Sequence, residues 1–270
     1  MQPTLHQPRL AGYLNEAWMR LLKLSGGYNL WVSRRQRKVE LEKTPLMLSL
    51  YKQFVAPGSL CFDVGANKGS RVSIFTRLGA KVLAIEPQQD CAKLLKKKFP
   101  GNKVTVIQKG LGAQKELRDF YISDNACISS FNTEWIANMK TLYRKRNWNK
   151  VEKIEITTLD ELLGIYGMPQ FIKIDTEGFE KEVLKGLSVK VPTLSFEYTL
   201  PFHKQEAIEC LELIHSLYDG RARYNLCRDE SYHLHFEEWL SNEDLKALIQ
   251  SEDFTPETFG MYGDIYVKQA

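Results

Sequence analysis

Short apolar segments alternate with amphipathic segments from residue 59 onwards, and this alternation constrains the fold more than any other feature of the sequence. The apolar segments predict strands over Leu60–Val64, Lys81–Glu86, Val104–Ile107, Phe171–Asp175, Thr193–Glu197, Tyr224–Leu226 and Asp264–Val267. The amphipathic segments predict helices over Ser70–Leu78, Gln88–Phe99, Phe179–Leu187, His203–Tyr218 and Asn242–Gln250. Repeated strand–helix order is typical of parallel strands joined by helical crossovers, so the pattern predicts an α/β sheet covered by helices on both faces.

Two regions depart from this alternation. Residues 1–56 carry apolar residues at helical spacing, which predicts an N-terminal helical extension before a main domain over residues 57–270. We expect the extension either to pack on the main domain or to form a homodimer contact, with the dimer favoured, because it carries many apolar positions. Residues 110–160 form an insertion beside the strand ends, where α/β proteins carry substrate-specific loops. The insertion predicts a strand over Leu117–Ser123, a helix over Trp135–Arg146 and a strand over Val151–Ile156.

The composition is that of an ordinary globular protein. Hydrophobic residues make up 43% and charged residues 26% of the 270 residues, close to average usage. The sequence contains no run of 18 apolar residues, and its first ten residues do not read as a secretory signal, so we expect no membrane span. The five cysteines are scattered, which favours a cytoplasmic protein. A net charge of +4 is too small to indicate a dedicated nucleic-acid-binding protein.

A glycine loop follows the first predicted strand. The segment Asp63–Gly69 reads DVGANKG, and its glycines permit a tight turn and a close backbone approach to a ligand. The spacing is neither a P-loop nor GxGxxG, which weighs against nucleoside triphosphates, NAD and FAD. Glu86 ends the second predicted strand, where a carboxylate accepts hydrogen bonds from both hydroxyls of a ribose. Together these features indicate a nucleoside ligand without pyrophosphate, such as S-adenosylmethionine, although glycines that only shape a turn remain the alternative.

Six segments of the chain resemble the FkbM family of S-adenosylmethionine-dependent methyltransferases. They read FDVGANKG (62–69), AIEP (84–87), ISSF (128–131), ITTLDELL (156–163), FIKIDTEGFEKEVLKG (171–186) and LSFEYT (194–199). The resemblance implies a Rossmann-like, seven-stranded, mostly parallel sheet and an O-methyltransferase acting on hydroxyls of small molecules or glycosides. The chain departs from the family pattern at Ser70-Arg71, where the family often places an aromatic residue.

We expect S-adenosylmethionine to lie against the glycine loop and the end of the second strand, with Asp63 near its methionine end. The expected cofactor-binding residues are Asp63, Gly65, Ala66, Asn67, Gly69, Glu86, Pro87 and Gly110.

Methyl transfer to a neutral hydroxyl needs a base, or a metal that lowers the pKa of the hydroxyl. Asp175 closes a buried apolar strand, where a charge is costly without a partner, and Glu197 ends the neighbouring strand. These two acids can share a divalent ion, or one can act as base while the other orients the acceptor. His203 is a further candidate base. We favour the base mechanism and assign no metal site.

Two alternatives stay open at this point. A nucleic-acid methyltransferase would use basic runs such as Lys96–Lys98 and Arg144–Arg146, but Asp175–Gly178 reads DTEG where enzymes that methylate base amino groups carry Asn/Asp-Pro-Pro-Tyr/Phe. A non-catalytic module that binds a nucleoside would be indicated by loss of Asp175 or Glu86, and both are present. We therefore expect a small-molecule or glycosidic acceptor rather than nucleic acid.

Overall fold

A computed structural model describes residues 42–270 of the chain. The second of two units along the chain is compact and spans residues 47–270. The second unit begins at Met47, upstream of the domain start predicted at residue 57. Most of the predicted extension, residues 1–41, lies outside the described residues, so its homodimer contact stays a prediction. Within residues 42–270, every helix is too short or too polar to reach across a lipid bilayer.

A seven-stranded sheet forms the centre of the second unit. Its strands are β1 (Leu60–Val64), β2 (Lys81–Ile85), β3 (Val104–Ile107), β7 (Phe171–Ile174), β8 (Thr193–Thr199), β9 (Ala222–Arg228) and β10 (Tyr262–Gln269). Their order across the sheet is β3-β2-β1-β7-β8-β10-β9. Strand β10 runs antiparallel to both of its neighbours, β8 and β9, and the pairings of the other strands are parallel. The predicted α/β fold with a seven-stranded, mostly parallel sheet is therefore confirmed.

Nine α-helices lie along the described chain. They are α1 (described part 42–51), α2 (Ser70–Arg77), α3 (Gln89–Lys98), α4 (Thr133–Leu142), α5 (Leu159–Tyr166), α6 (Glu180–Lys185), α7 (Lys204–Leu217), α8 (Asn242–Gln250) and α9 (Pro256–Phe259). Helices α5 and α9 were not among the predicted elements.

The insertion contributes a second, three-stranded sheet. Its strands are β4 (Gly110–Leu111), β5 (Glu116–Ile122) and β6 (Lys150–Thr157), in the order β4-β6-β5. The helix predicted over Trp135–Arg146 instead begins at Thr133 and ends at Leu142. It begins earlier because the Asn132 side chain accepts hydrogen bonds from the first backbone N–H groups. It ends earlier because Tyr143, at ψ 61°, leaves the helical conformation, so the basic run Arg144–Arg146 follows the helix.

The core consists of apolar layers on the two faces of the main sheet. Alternate residues of β1 point to opposite faces, so that Phe62 and Val64 pack in one layer and Cys61 in the other. The first layer includes apolar residues of α5–α8, and the second includes those of residues 47–55, α2 and α3. Both faces are therefore covered, and a ligand can approach the sheet at its strand ends.

Candidate active site

A cavity of about 270 Å³ opens at the carboxyl ends of β1, β2 and β7; we call it the strand-end cavity. Its walls come from these strand ends and from the insertion. The lining residues are Asp63, Val64, Gly65, Ala66, Asn67, Lys68, Ser70, Arg71, Ile85, Glu86, Pro87, Gln88, Lys109, Gly110, Leu111, Phe120, Ala126, Cys127, Ser129, Phe131, Asp175, Thr176 and Glu177. Seven of the eight expected cofactor-binding residues are among them, and Gly69 is not.

The two glycines of the loop have different structural roles. Gly65 has φ +81°, and a Cβ atom on it would overlap the backbone carbonyl oxygen of Asp175. Gly65 is thus required where the loop meets the end of β7. Gly69 has φ +77° at the start of α2, and a Cβ atom on it would lie 2.6 Å from side-chain atoms of Leu95 and Phe99. Its small size lets α2 approach the chain around α3 closely.

Glu86 is held by two backbone donors at the end of β2. Its Oε2 accepts a hydrogen bond from the Asn67 N–H at 2.7 Å, and its Oε1 accepts one from the Gln88 N–H at 2.8 Å. The side chain is only 2% exposed, and burial raises its pKa to about 7, although these two N–H groups lower it. Each oxygen retains acceptor capacity, so the carboxylate can receive two further donors from a ligand in the strand-end cavity.

Asp63 brings an unsatisfied acceptor to the same cavity. It is 2% exposed, and its Oδ2 has no hydrogen-bond partner among the described residues. Burial raises the pKa of Asp63 to about 6, against the opposing effect of the positive charges of Lys173 and Arg71. A buried acceptor without a partner costs free energy, and a donor from a ligand would remove this cost.

Asp175 follows β7 and faces the strand-end cavity. Its Oδ2 accepts a hydrogen bond of 2.8 Å from the Lys173 ammonium, which also lies 3.3 Å from Asp264 Oδ1 on β10. Lys173 is 1% exposed. The buried ammonium of Lys173 requires anionic partners. Asp175 and Asp264 supply them.

Two acids gather beside Asp175. One oxygen each of Asp175, Glu177 and Glu197 lies within 4.8 Å of the others; we call these residues the carboxylate cluster. Glu197 Oε2 is buried without a hydrogen-bond partner among the described residues. Burial, followed by repulsion from Asp175, raises the pKa of Glu177 and of Glu197 well above the ordinary range. The cluster therefore favours states in which it holds a proton, and its spacing also suits oxygen ligation of a divalent cation.

Glu197 does not end its strand, contrary to the sequence interpretation. Strand β8 continues to Thr199, because β10 pairs with it antiparallel as far as Tyr262 opposite Thr199. Glu197 nonetheless lies beside the end of β7, since Phe196 pairs with Ile174.

His203 lies at the start of α7, as expected. Its Nδ1 lies 3.1 Å from Glu206 Oε2, and its buried Nε2 has no partner among the described residues. His203 and Glu197 line a small cavity of about 10 Å³, separate from the strand-end cavity. The structure thus joins Asp175 and Glu197 in one cluster and places His203 next to Glu197.

The insertion holds the loop that carries the acids. Ser130 Oγ donates a hydrogen bond to the Glu177 carbonyl oxygen at 2.7 Å, and Asn132 Nδ2 donates one to the Gly178 carbonyl oxygen at 2.6 Å. Glu177 has φ +56°, which is unusual for a residue other than glycine. Glu180 accepts hydrogen bonds from the N–H and hydroxyl of Thr176. These bonds hold Glu177 in a backbone conformation that it would seldom adopt alone.

Sequence reasoning did not assign roles to Lys173, Glu177 and Arg71. A lysine inside the apolar run of β7 signals a buried partner, because an unpaired charge there is costly. Glu177 is close to Asp175 in sequence, but its part in the cluster depends on the turn at Gly178. Arg71 stands where the family pattern often has an aromatic residue, and it lines the strand-end cavity.

Comparison with known proteins places the chain in a family. The sequence model of the methyltransferase FkbM domain matches residues 63–246. No curated protein matches the chain significantly. The chain is similar to precorrin-6y C5,15-methyltransferase from Geobacter metallireducens GS-15, with 10% identity, a TM-score of 0.43 and coverage of 86% of this chain and 87% of that chain. It is also similar to a TehB-like SAM-dependent methyltransferase from Corynebacterium glutamicum ATCC 13032, with 9% identity, a TM-score of 0.42 and coverage of 91% and 100%.

The family match defines the class of protein as S-adenosylmethionine-dependent methyltransferases, and the fold agrees with it. Because the match spans more than half of the chain, the protein belongs to the FkbM methyltransferase family.

Proposed function

We propose that the protein transfers the methyl group of S-adenosylmethionine to a hydroxyl oxygen of a small-molecule or glycosidic acceptor. The observation that carries this proposal is the carboxylate cluster, which borders the strand-end cavity through Asp175 and Glu177. A hydroxyl must lose a proton when it is methylated, and an ionised carboxylate of the cluster can take that proton.

The residues of the strand-end cavity fit S-adenosylmethionine. Glu86 presents two oxygens with spare acceptor capacity for the ribose hydroxyls, and Asp63 presents a buried oxygen that needs a donor. Ala66, Asn67, Pro87 and Gly110 complete the expected contacts on the walls. When bound, S-adenosylmethionine supplies an electrophilic methyl group on its sulfonium.

The acids of the cluster have two roles in the proposal: one orients the acceptor and the others take its proton. Asp175, held by Lys173, accepts a hydrogen bond from the acceptor hydroxyl and orients its oxygen. The proton then moves to whichever of Glu177 and Glu197 is ionised before the reaction, and the raised pKa of both side chains makes such a carboxylate a stronger base. His203, hydrogen-bonded to Glu206, then accepts the proton from Glu197.

The first experiment identifies the atom that is methylated. The protein is incubated with S-adenosylmethionine labelled at its methyl group and a panel of hydroxyl compounds, and the labelled product is treated with mild alkali. A methyl ether resists this treatment, whereas a methyl ester releases methanol. A labelled ester or amine would contradict hydroxyl methylation, and a labelled nucleic acid would contradict a small-molecule or glycosidic acceptor. A structure with S-adenosylhomocysteine bound would outline the acceptor volume next to the sulfur.

The second experiment separates the base from a metal. Methyl transfer is measured with and without chelator for wild type, Asp175→Asn, Glu197→Gln and His203→Ala. We expect activity to survive the chelator and to fall about 100-fold or more in Asp175→Asn. Loss of activity with chelator that added magnesium restores would assign a divalent ion to the carboxylate cluster instead. Full activity in Asp175→Asn would remove that residue from both mechanisms.

A further inference from the structure

Two groups of opposite charge lie at the part of the strand-end cavity formed by the end of β1 and the start of α2. Asp63 offers the buried Oδ2 that lacks a partner among the described residues. Arg71, in the first turn of α2, also lines the cavity. A ligand group that satisfies both must carry a donor and an anion close together.

Arg71 is anchored by neutral groups. Its Nε donates a hydrogen bond to the Tyr51 hydroxyl at 3.1 Å, and its Nη1 lies 3.4 Å from both Met47 Sδ and Ser70 Oγ. Its guanidinium carbon lies 5.3 Å from the centre of the Tyr232 ring. Among residues 42–270, no carboxylate lies within ion-pair distance of Arg71. The side chain is therefore fixed in position while its positive charge has no direct counter-ion.

The nearby aspartates do not pair directly with Arg71. Asp175 and Asp264 both pair with Lys173, at 2.8 and 3.3 Å. The single positive charge of Lys173 does not balance both carboxylates, and Arg71 acts on them at longer range without forming an ion pair. An arginine that is held in place, faces a cavity and has no ion-pair partner among the described residues is suited to bind a carboxylate with its planar fork of N–H donors.

We propose that Arg71 binds the α-carboxylate of S-adenosylmethionine, while Asp63 accepts a hydrogen bond from its α-ammonium. This inference rests on the proposed function, because it assigns residues to the amino-acid part of that cofactor. An α-amino acid carries these two charges on neighbouring atoms, and the cavity presents the complementary pair. Arg71 thereby selects ligands that retain the carboxylate. It also fixes the position of the amino-acid part of the cofactor, which is bonded to the sulfur.

The test compares two ligands that differ only in the carboxylate. Calorimetry measures the binding of S-adenosylhomocysteine and of its decarboxylated analogue to wild type, Arg71→Met, Arg71→Lys and Arg77→Met. Arg77 lies on the same helix but is exposed and outside the cavity, so its variant is the matched control. We expect wild type and Arg77→Met to bind S-adenosylhomocysteine about 10- to 100-fold more tightly than the analogue. In Arg71→Met the two affinities should agree within about twofold, and Arg71→Lys should retain part of the difference.

The outcomes separate this inference from the proposed function. If wild type binds both ligands equally, or if Arg71→Met keeps the full preference, Arg71 does not bind the carboxylate. If Arg71→Met does not fold, Arg71→Lys decides the question, because it keeps the charge without the planar fork and an undiminished preference in it would overturn the inference. If wild type binds neither ligand, the proposed function itself fails, and the inference fails with it.

Discussion

Glu86 provides the sharpest test of the cofactor assignment. Its carboxylate accepts one backbone N–H bond on each oxygen, from Asn67 and Gln88, and turns its remaining acceptor capacity towards the strand-end cavity. Glu86→Ala removes both acceptors and should weaken S-adenosylhomocysteine binding at least about tenfold. Glu86→Gln is the more informative variant, because it keeps the shape of the side chain and removes its charge.

The difference in affinity between wild type and Glu86→Gln should become smaller as the pH falls. Burial raises the pKa of Glu86 to about 7, so it is about nine-tenths ionised at pH 8 and about one-tenth ionised at pH 6. Ribose hydroxyls donate hydrogen bonds, so the ionised form binds more tightly, by about tenfold. The protonated form resembles glutamine. The ratio of wild-type to Glu86→Gln affinity should therefore fall from about ninefold at pH 8 to about twofold at pH 6.

Calorimetry with S-adenosylhomocysteine at both pH values measures this ratio. The pKa of Asp63 is about 6, so this group titrates in the same range. It does so in both proteins, and it enters the ratio only through its repulsion with Glu86. A ratio that stays the same at pH 6 and pH 8 would refute the link between Glu86 ionisation and binding. A ratio of about one at pH 8 would remove Glu86 from the ribose site.

Two further predictions concern the framework of the site. Gly65→Ala should abolish S-adenosylhomocysteine binding, because the new Cβ overlaps the Asp175 carbonyl oxygen. Gly58→Ala is the control: Gly58 has the same φ of +81°, but a Cβ there meets open space, so this variant should only lose about 1–2 kcal/mol of stability. Equal binding by both variants would contradict this. Lys173→Met should lower the free energy of unfolding in urea by about 2–4 kcal/mol, because it leaves two partly buried carboxylates unpaired. The surface pair of Lys181 is worth less than about 1 kcal/mol, so Lys181→Met is the control. A loss in Lys173→Met as small as the loss in this control would show that Lys173 is not needed for stability.

The main sheet was predictable because its strands carry a local signature. In β1 and β2, residues on both faces are apolar, which is typical of strands covered on both sides. The antiparallel position of β10 between β8 and β9 has no such signature, because it depends on pairing between segments far apart in the chain. Helix α5 did leave a signal that was missed. Thr158 caps it by accepting a hydrogen bond from the Glu161 N–H, and a threonine three residues before a glutamate is a known helix start.

The cofactor side of the site was more accessible to sequence reasoning than the catalytic side. The cofactor residues occupy the loop after β1 and the end of β2, and the end of a parallel strand is a place that the sequence pattern identifies. The partners of Lys173 illustrate the limit. Asp175 is two residues away, but Asp264 is 91 residues away on β10. Likewise, the hydrogen bond from Ser130 to Glu177 joins the insertion to the acid loop, and no local pattern reveals it.

The acid loop, residues 175–178, is where the cofactor side and the insertion meet. Gly65 lets the β1 loop contact the Asp175 carbonyl from one side, and Ser130 and Asn132 hold the carbonyls of Glu177 and Gly178 from the other. The insertion therefore fixes the acids relative to the cofactor cavity without supplying the residues proposed to bind the ribose. Changes elsewhere in the insertion can alter the shape presented to an acceptor while these two anchoring contacts persist. For this reason we expect acceptor specificity to follow the insertion, and the position of the proton-accepting carboxylates to follow the acid loop.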